Sequence, residues 1–512
     1  MEQLFSPLLR ATLLVGLAFL LWSAPVAASG RFEEAREEFH ARTAQQAVWS
    51  APGRLSALLS ALEDLREDGL DPADYGFSVR RSDSTACIES IATAAYLRAL
   101  DDLAHGRLQQ ADVEPLWRAD GTAAGISATR LAQHAADGLD DIPAAFAALR
   151  PALPVYDALR QHLAALHAES GTPEPTRLPD GITLRTGARH PAVELLRARL
   201  ERHGYRSELP DGGDFFDIGL TDALLRFQRD HGLQPDGVLG RATRGMLNLD
   251  LAQRIGRTRA NLERWRWLTA ELRPTQVRVD VAGAELRYLR DGELRWAARV
   301  QVGRNERATP LLHSRISYVT LNPPWVVPPT ILREDKLPAI RANPQVLEQN
   351  RLRVFDRHGA ELDPAGIDWS SPGPITLRQD PGPENALGQV VLRFANPFAI
   401  YLHDTPSQMQ FASWRRTFSS GCVRVERAFE LAELLLADAS DISAETVATE
   451  LGSGRTRNLH LRTPVPILIA YWTAEVGADG ALRWRPDSYG HDAAIAAALD
   501  HAPPHPLPQC AR

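Results

Sequence analysis

Lysine is almost missing from this 512-residue chain: Lys336 is the only one, and every other fixed cation is arginine. Chemistry that needs a lysine nucleophile or Schiff base is thereby confined to a single position. Cysteine is scarce as well, with Cys87, Cys422 and Cys510. An odd count of three suits an oxidising compartment in which one thiol stays free for chemistry and two can pair, and two unrelated thiols fit equally well. Positive charge is not in excess either. The formal net charge is −7, which argues against nucleic acid as the main partner.

The N-terminus carries one cation, Arg10, then an uncharged run from Ala11 to Leu21 and a small-residue region Ser23-Ala24-Pro25-Val26-Ala27-Ala28-Ser29. This reads as a secretory signal peptide over residues 1–28, cleaved after Ala28. No cysteine follows the apolar run, so a lipoprotein is not expected. The alternative is an uncleaved anchor, because the apolar stretch can be extended to about 17 residues, near the lower limit for crossing a bilayer.

With 44% hydrophobic residues over this length, the chain holds two to four domains with their own cores. Residues 29–180 read as a helical scaffold: Leu55, Leu58, Leu59, Leu62 and Leu65, then Ile91, Tyr96, Leu97, Leu100 and Leu103, recur at helical spacing before a stop at His105-Gly106. The scaffold is expected to continue over 249–275. A Pro/Gly-rich linker spans Gly171 to Gly181. Residues 184–248 form a small three-helix unit, with helices at Pro191–His203, Thr221–His231 and Gly240–Asn248, and Phe227 and Leu247 in its core. From Gln276 the period shortens to two at Val277, Val279 and Val281, so 276–475 is expected to be mostly β. An insertion over about 330–375, containing a helix at Leu332–Arg341, interrupts it, and 476–512 is a C-terminal extension. The fold class is multidomain α+β.

Chemistry concentrates between Tyr401 and Glu426. His403 and Asp404 end an apolar run, and Ser419-Ser420-Gly421-Cys422-Val423-Arg424 follows after a polar arm that holds Trp414. A thiol attacks as thiolate, so it needs a base and positive surroundings, here His403 with Arg424 and Arg427. Small residues before the cysteine let backbone N–H groups reach an oxyanion. Helical spacing after Val425 sets Cys422 just ahead of a helix N-terminus, whose dipole favours a thiolate. One Cys and one His alone would not exclude a buried structural thiol. The surrounding motifs weigh against that reading.

Those motifs resemble the murein L,D-transpeptidases, whose signature is a His followed within twenty residues by Ser/Thr-His-Gly-Cys. This chain has Ser420 where many members have His. The large periplasmic branch also writes Leu-His-Asp-Thr-Pro and Ser-Ser-Gly-Cys-Val-Arg-Val-Glu, and the blocks Thr309-Pro310, Leu321-Asn322-Pro323-Pro324-Trp325, Asn385-Ala386-Leu387-Gly388 and Tyr471-Trp472-Thr473-Ala474 are similar to it. The 184–248 unit resembles a peptidoglycan-binding module.

The resemblance implies a periplasmic enzyme that needs no metal or other cofactor and is a carbapenem target, with peptidoglycan stem peptides as donor and acceptor and other cell-wall enzymes as further partners. It implies that Cys422 forms a thioester with a donor tetrapeptide, that His403 is the base, and that Asp404 holds the ring through its backbone carbonyl. The N–H groups of Gly421 and Cys422 would bind the oxyanion. Tyr401, Ser420 and Arg424 would line the pocket, Arg424 taking a substrate carboxylate unless Glu426 pairs with it. The product would be a 3-3 cross-link. An L,D-carboxypeptidase or a protein-to-peptidoglycan ligase would use the same acyl-enzyme, and a non-catalytic wall-binding scaffold would use only the three-helix unit. The insertion would act as a lid.

Overall fold

A computed structural model of the protein describes residues 26–77, 83–121, 125–208, 212–477 and 479–508. Most of the expected signal peptide lies outside these residues; the first helix, α1 (Val26–Arg42), begins just before the expected cleavage point. Among the described residues no helix is long and apolar enough to cross a membrane. Cys87 is disulfide-bonded and Cys422 is free, whereas Cys510 lies outside the described residues.

The N-terminal region is helical, with α2 (Arg54–Asp64), α3 (Thr85–His105), α4 (Ala128–Asp137), α5 (Ile142–Leu149) and α6 (Pro154–Ala168). Ser84 and Ser127 cap α3 and α4 by accepting backbone N–H groups, as short hydroxyl side chains do at helix starts. α3 stops where Gly106 takes φ +88°. The three-helix unit follows as α7 (Ala192–Arg202), α8 (Ile218–Asp230) and α9 (Arg241–Leu247), around a core that includes Phe227 and Leu247. Then α10 (Leu251–Thr269) returns to the centre of the molecule.

One mixed sheet forms the β-rich part. Its strands are β1 (Trp117–Arg118), β2 (Gln276–Asp280), β3 (Glu285–Arg290), β4 (Glu293–Gly303), β5 (Leu312–Leu321), and, after the insertion, β10 (Val390–Phe394), β11 (Leu402–His403), β12 (Thr417–Ser419), β13 (Val423–Val425) and β14 (Arg457–Ala470). The order β5-β10-β11-β13-β4-β3-β2-β14 closes on itself because β14 pairs with both β2 and β5. Closure removes the free edges, and the last residues of β14, Ile467 to Ala470, are apolar on both faces and fully buried. Helix α11 (Ala428–Ser440) packs on β14 and β10.

The scaffold is not a separate body. Its strand β1 joins the sheet beside β5, Trp117 opposite Leu312. Within α10, Arg264 has no exposed side chain and binds Glu114 at 2.9 Å and Asp492 at 3.0 Å, which joins the scaffold to the C-terminal helix α12 (His491–Asp500). The expected boundary at 475/476 falls inside β15 (Ala474–Val476), which pairs with β16 (Leu482–Trp484). Residues beyond 476 are therefore built in rather than appended: α12 packs on α10 and His505 reaches Asp102 at 2.6 Å.

The insertion is larger and more β-rich than its sequence suggests. Strands β6 (Trp325–Val326), β7 (Arg353–Phe355), β8 (Glu361–Leu362) and β9 (Thr376–Gln379) form their own sheet in the order β6-β9-β7-β8. Helical turns cover Pro329 to Ala342, with one wide π turn at Leu332–Lys336, and a private core holds Val327, Ile340, Leu347, Leu352, Val354 and Leu377. Strands thus recur within the expected insertion, at Arg353 and Glu361, and again at its end, at Thr376.

Candidate active site

Parallel pairing of β11 with β13 sets Leu402 opposite Val423 and His403 opposite Arg424. Leu402, Val423 and Val425 are fully buried in the barrel core, each contributing about 1.5–3 kcal/mol. Strand alternation then puts Tyr401, His403, Cys422 and Arg424 on the other face. The Val423 N–H donates to the Tyr401 carbonyl at 3.1 Å, locking Cys422 beside Tyr401.

His403 is 4% exposed. Its Nδ1–H donates to the backbone carbonyl of Asp404 at 2.5 Å. That bond fixes the tautomer and leaves Nε2 as the basic nitrogen. The Asp404 carboxylate faces elsewhere, accepting the Gln389 N–H at 3.0 Å and the Gln408 amide at 2.9 Å. It also fills the space over Gly388, whose φ is +61°; a Cβ there would overlap the carboxylate.

Burial brings the His403 pKa down to about 3, with Arg424 adding to the effect and the Asp404 carbonyl opposing it. Burial pushes the Cys422 thiol up, while the Tyr401 N–H, Arg424 and Arg393 pull it back. At neutral pH the resting pair is thus a thiol and a neutral imidazole. An imidazole with Nδ1 fixed can take the thiol proton as attack begins and return it to a leaving amine.

Three sequence expectations need correction, and one alternative falls away. Cys422 does not precede a helix: it lies on a bend between β12 and β13, and α11 starts only at Ala428, after Arg427 at φ +55°. The macrodipole acts only over a helix's first turn, so it does not reach the thiol. Arg427 is turned outward to Glu430 and the Ala297 carbonyl, and Arg393, stacked 4.1 Å over the Tyr401 ring, is the second cation near the thiol. The Gly421 N–H is already donated to Ser419 Oγ at 3.1 Å, which removes it from the expected oxyanion site. The alternative that falls away is the Arg424–Glu426 pair: Glu426 pairs with Arg299 instead. Arg424 contacts only the neutral Gln301 at 3.2 Å and Gln410 at 3.5 Å, so among the described residues no carboxylate neutralises it.

Ser420 accepts a hydrogen bond from Arg307 at 3.1 Å. The same guanidinium binds Asp335 at 2.6 Å and Glu334 at 2.8 Å on the insertion. Among the described residues no group of three His, Cys, Asp or Glu side chains is placed to hold a metal ion.

Residues 274–467 match the L,D-transpeptidase catalytic domain, 34–163 the scaffold domain and 189–247 the putative peptidoglycan binding domain. The chain carries an L,D-transpeptidase catalytic domain. A putative L,D-transpeptidase of Haemophilus influenzae is 38% identical over 220 residues, 42% of this chain and 44% of that protein, so the chain spans a little under half the length of this curated relative. Among solved structures, an L,D-transpeptidase from Xylanimonas cellulosilytica is similar at 16% identity and a TM-score of 0.16, covering 58% of this chain and 100% of that one. One from Mycobacterium smegmatis has 13% identity and a TM-score of 0.18, covering 38% and 58%.

The L,D-transpeptidase domain supports its cysteine loop with groups to which the sequence assigned no role. Thr309 Oγ1 donates to the Gly421 carbonyl at 3.0 Å and accepts the Gly303 N–H at 2.8 Å. Tyr489, from beyond the expected domain end, donates its hydroxyl to the Gly303 carbonyl at 2.6 Å and accepts the Thr309 N–H at 3.2 Å. Ser419 Oγ donates to the Cys422 carbonyl at 2.5 Å. Thr309 lay in a recognised block; nothing local marked Tyr489, Arg307 or Arg393.

Proposed function

We propose that the protein is a cysteine L,D-transpeptidase that joins peptidoglycan stem peptides. The observation that carries this reading is the pairing of β11 with β13, which sets His403 and, on the bend just before β13, Cys422 on one face, with His403 Nδ1 tied to the Asp404 carbonyl. Nε2 takes the Cys422 proton as sulfur attacks the carbonyl of the L-centre of meso-diaminopimelate in a donor tetrapeptide. The tetrahedral oxyanion takes the Cys422 N–H as donor. Collapse breaks the bond to the terminal D-Ala, whose amine leaves with the proton from His403, and a thioester remains on Cys422. The side-chain amine of a second stem then attacks the thioester, His403 accepting its proton and returning it to sulfur. Arg424, unpaired with any carboxylate among the described residues, is the group for a stem carboxylate.

Export to the periplasm belongs to the same proposal. Purified protein incubated with tetrapeptide muropeptides should yield 3-3 cross-linked dimers by mass spectrometry, and Cys422→Ala should yield none while remaining folded. Tripeptide without dimer would make the enzyme an L,D-carboxypeptidase. Turnover by the Cys422→Ala protein would sink the assignment.

A further inference from the structure

We propose that Arg393 is a specificity-determining residue of the Cys422 cleft, holding one carboxylate of the donor stem two strands away from the sulfur. This rests on the transpeptidase reading and adds to it a contact that none of the motif residues makes.

Cross-strand register lays out a row of side chains on the cleft face of the sheet. His403 stands opposite Val391 on one side and Arg424 on the other, so one step back along the chain Tyr401 stands between Arg393 of β10 and Cys422 on the bend. Arg393 is in turn opposite Tyr318 of β5, and Tyr318 is opposite His460 of β14. Neighbouring strands lie about 4.8 Å apart, which sets Arg393 about 10 Å along the sheet from the nucleophile. The row then runs on to an open end, where His460 is exposed.

The Arg393 guanidinium is positioned but not neutralised. It stacks 4.1 Å over the Tyr401 ring, and its Nε reaches Thr320 Oγ1 at 3.4 Å. Among the described residues no carboxylate pairs with it, and the side chain is only half-buried. Burial dominates the titration of both reacting groups, and Arg393 adds a smaller pull downward on the Cys422 thiol and on the His403 imidazole, so its charge is felt at the site. A planar fork already held flat on a ring loses little freedom when it takes a carboxylate through two hydrogen bonds.

Two stem carboxylates have the reach. The α-carboxylate of the γ-linked glutamate is seven bonds from the carbonyl that Cys422 attacks and the D-centre carboxylate of diaminopimelate is six, roughly 7–9 Å when extended. Arg424 lies on β13 and Arg393 on β10, with β11 between them. The two guanidiniums therefore take different carboxylates.

The test titrates the full chain carrying Cys422→Ala, which lacks the nucleophile, by calorimetry with three tetrapeptides: the free form, one amidated at the glutamate carboxyl and one amidated at the diaminopimelate D-centre. Adding Arg393→Gln should weaken binding of the free form at least tenfold and abolish the penalty of one amide while the other amide keeps its effect. The amide that ceases to matter names the carboxylate. Arg393→Lys, which keeps the charge and loses the fork, should shrink that same penalty several-fold and serves if the glutamine variant fails to fold. Both penalties unchanged in the folded variants would overturn the proposal, as would no amide penalty or no binding in the parent protein. Equal shrinkage of both penalties would overturn it too, since Arg393 would then supply only a field. Acylation of wild-type Cys422 by the free tetrapeptide is followed by intact mass. Its absence with the amide pattern intact would defeat the transpeptidase reading and leave this contact standing, and acylation without the pattern would do the reverse.

Discussion

Gly421→Ala separates backbone strain from crowding at the nucleophile loop. Gly421 has φ +112°, a region L-residues rarely enter, yet a Cβ built there meets nothing closer than the Ala308 carbonyl and Ile400 Cγ2 at 3.8 Å. The penalty is therefore conformational, on the order of 1–3 kcal/mol. The loop has two ways to absorb it. Held by Thr309 on the Gly421 carbonyl and Ser419 on its N–H, the loop stays put and the whole penalty appears as lost stability. Released, it lets φ relax and carries Cys422 out of register with His403. A displacement of that kind costs about a hundredfold in rate.

Urea unfolding measures the first channel and the rate of carbapenem adduct formation, by intact mass, measures the second. We expect a loss of about 1–3 kcal/mol, a drop in acylation of tenfold or more, or both in part. Acylation within twofold of wild type together with an unchanged urea midpoint would refute the strain argument.

Arg307→Ala removes the side chain that joins Ser420 to Glu334 and Asp335; it should raise the ratio of hydrolysed tripeptide to cross-linked dimer, since a looser insertion admits water to the thioester. An unchanged ratio with both rates falling equally would show that the insertion only supports folding. Trp414→Ala breaks the bond to Gly232 and should slow acylation several-fold without lowering the unfolding free energy by more than about 1 kcal/mol; unchanged acylation would mean that the arm needs no support from the three-helix unit.

Stability should fall on acidification from pH 7 to 5. His162, His203, His231 and His403 are depressed to about 4, 4, 3 and 3. The unfolded chain thus binds their protons first, and the stability present above about 6.5 is lost as pH drops, by up to about 1.4 kcal/mol per unit for each. Asp280, raised to about 7 by burial, works the other way, as do the raised Asp74, Glu89 and Asp487. A urea midpoint that is flat or rising between pH 7 and 5 would contradict the burial of the histidines.

The residues proposed to carry the chemistry were legible because they sit within one short stretch, and the motif is itself local. The three-helix unit was legible for a similar reason, since apolar positions in α7 and α8 keep a helical period over two or more turns. What failed were features set by distant partners. Arg393 nears Cys422 only because β10 and β13 both flank the two-residue β11. Tyr489 reaches Gly303 from 186 residues away.

The helix misplaced after Cys422 had a readable counter-signal, the alternation Val423-Arg424-Val425, which is a strand period. The hairpin of β7 and β8 was also readable. Asp356 accepts the N–H groups of His358 and Ala360, and Gly359 has φ +83°, the chemistry of a tight turn.

The neutral pair bears on how the proposed nucleophile tolerates its surroundings. A preformed thiolate is open to oxidants and disulfide exchange, and this chain already holds a disulfide at Cys87. With burial raising the thiol and depressing the imidazole, the proposed mechanism has proton transfer accompany attack on the carbonyl rather than precede it. Arg424 pulls the thiol down and pushes the imidazole down as well. It therefore favours the anion on sulfur without favouring the cation on His403. A substrate carboxylate that neutralises Arg424 would raise both groups together, so in the proposed mechanism it leaves the gap between thiol and imidazole little changed. The role proposed for Arg424 is therefore to hold a stem carboxylate, and it suits a guanidinium whose protein partners, Gln301 and Gln410, are both uncharged.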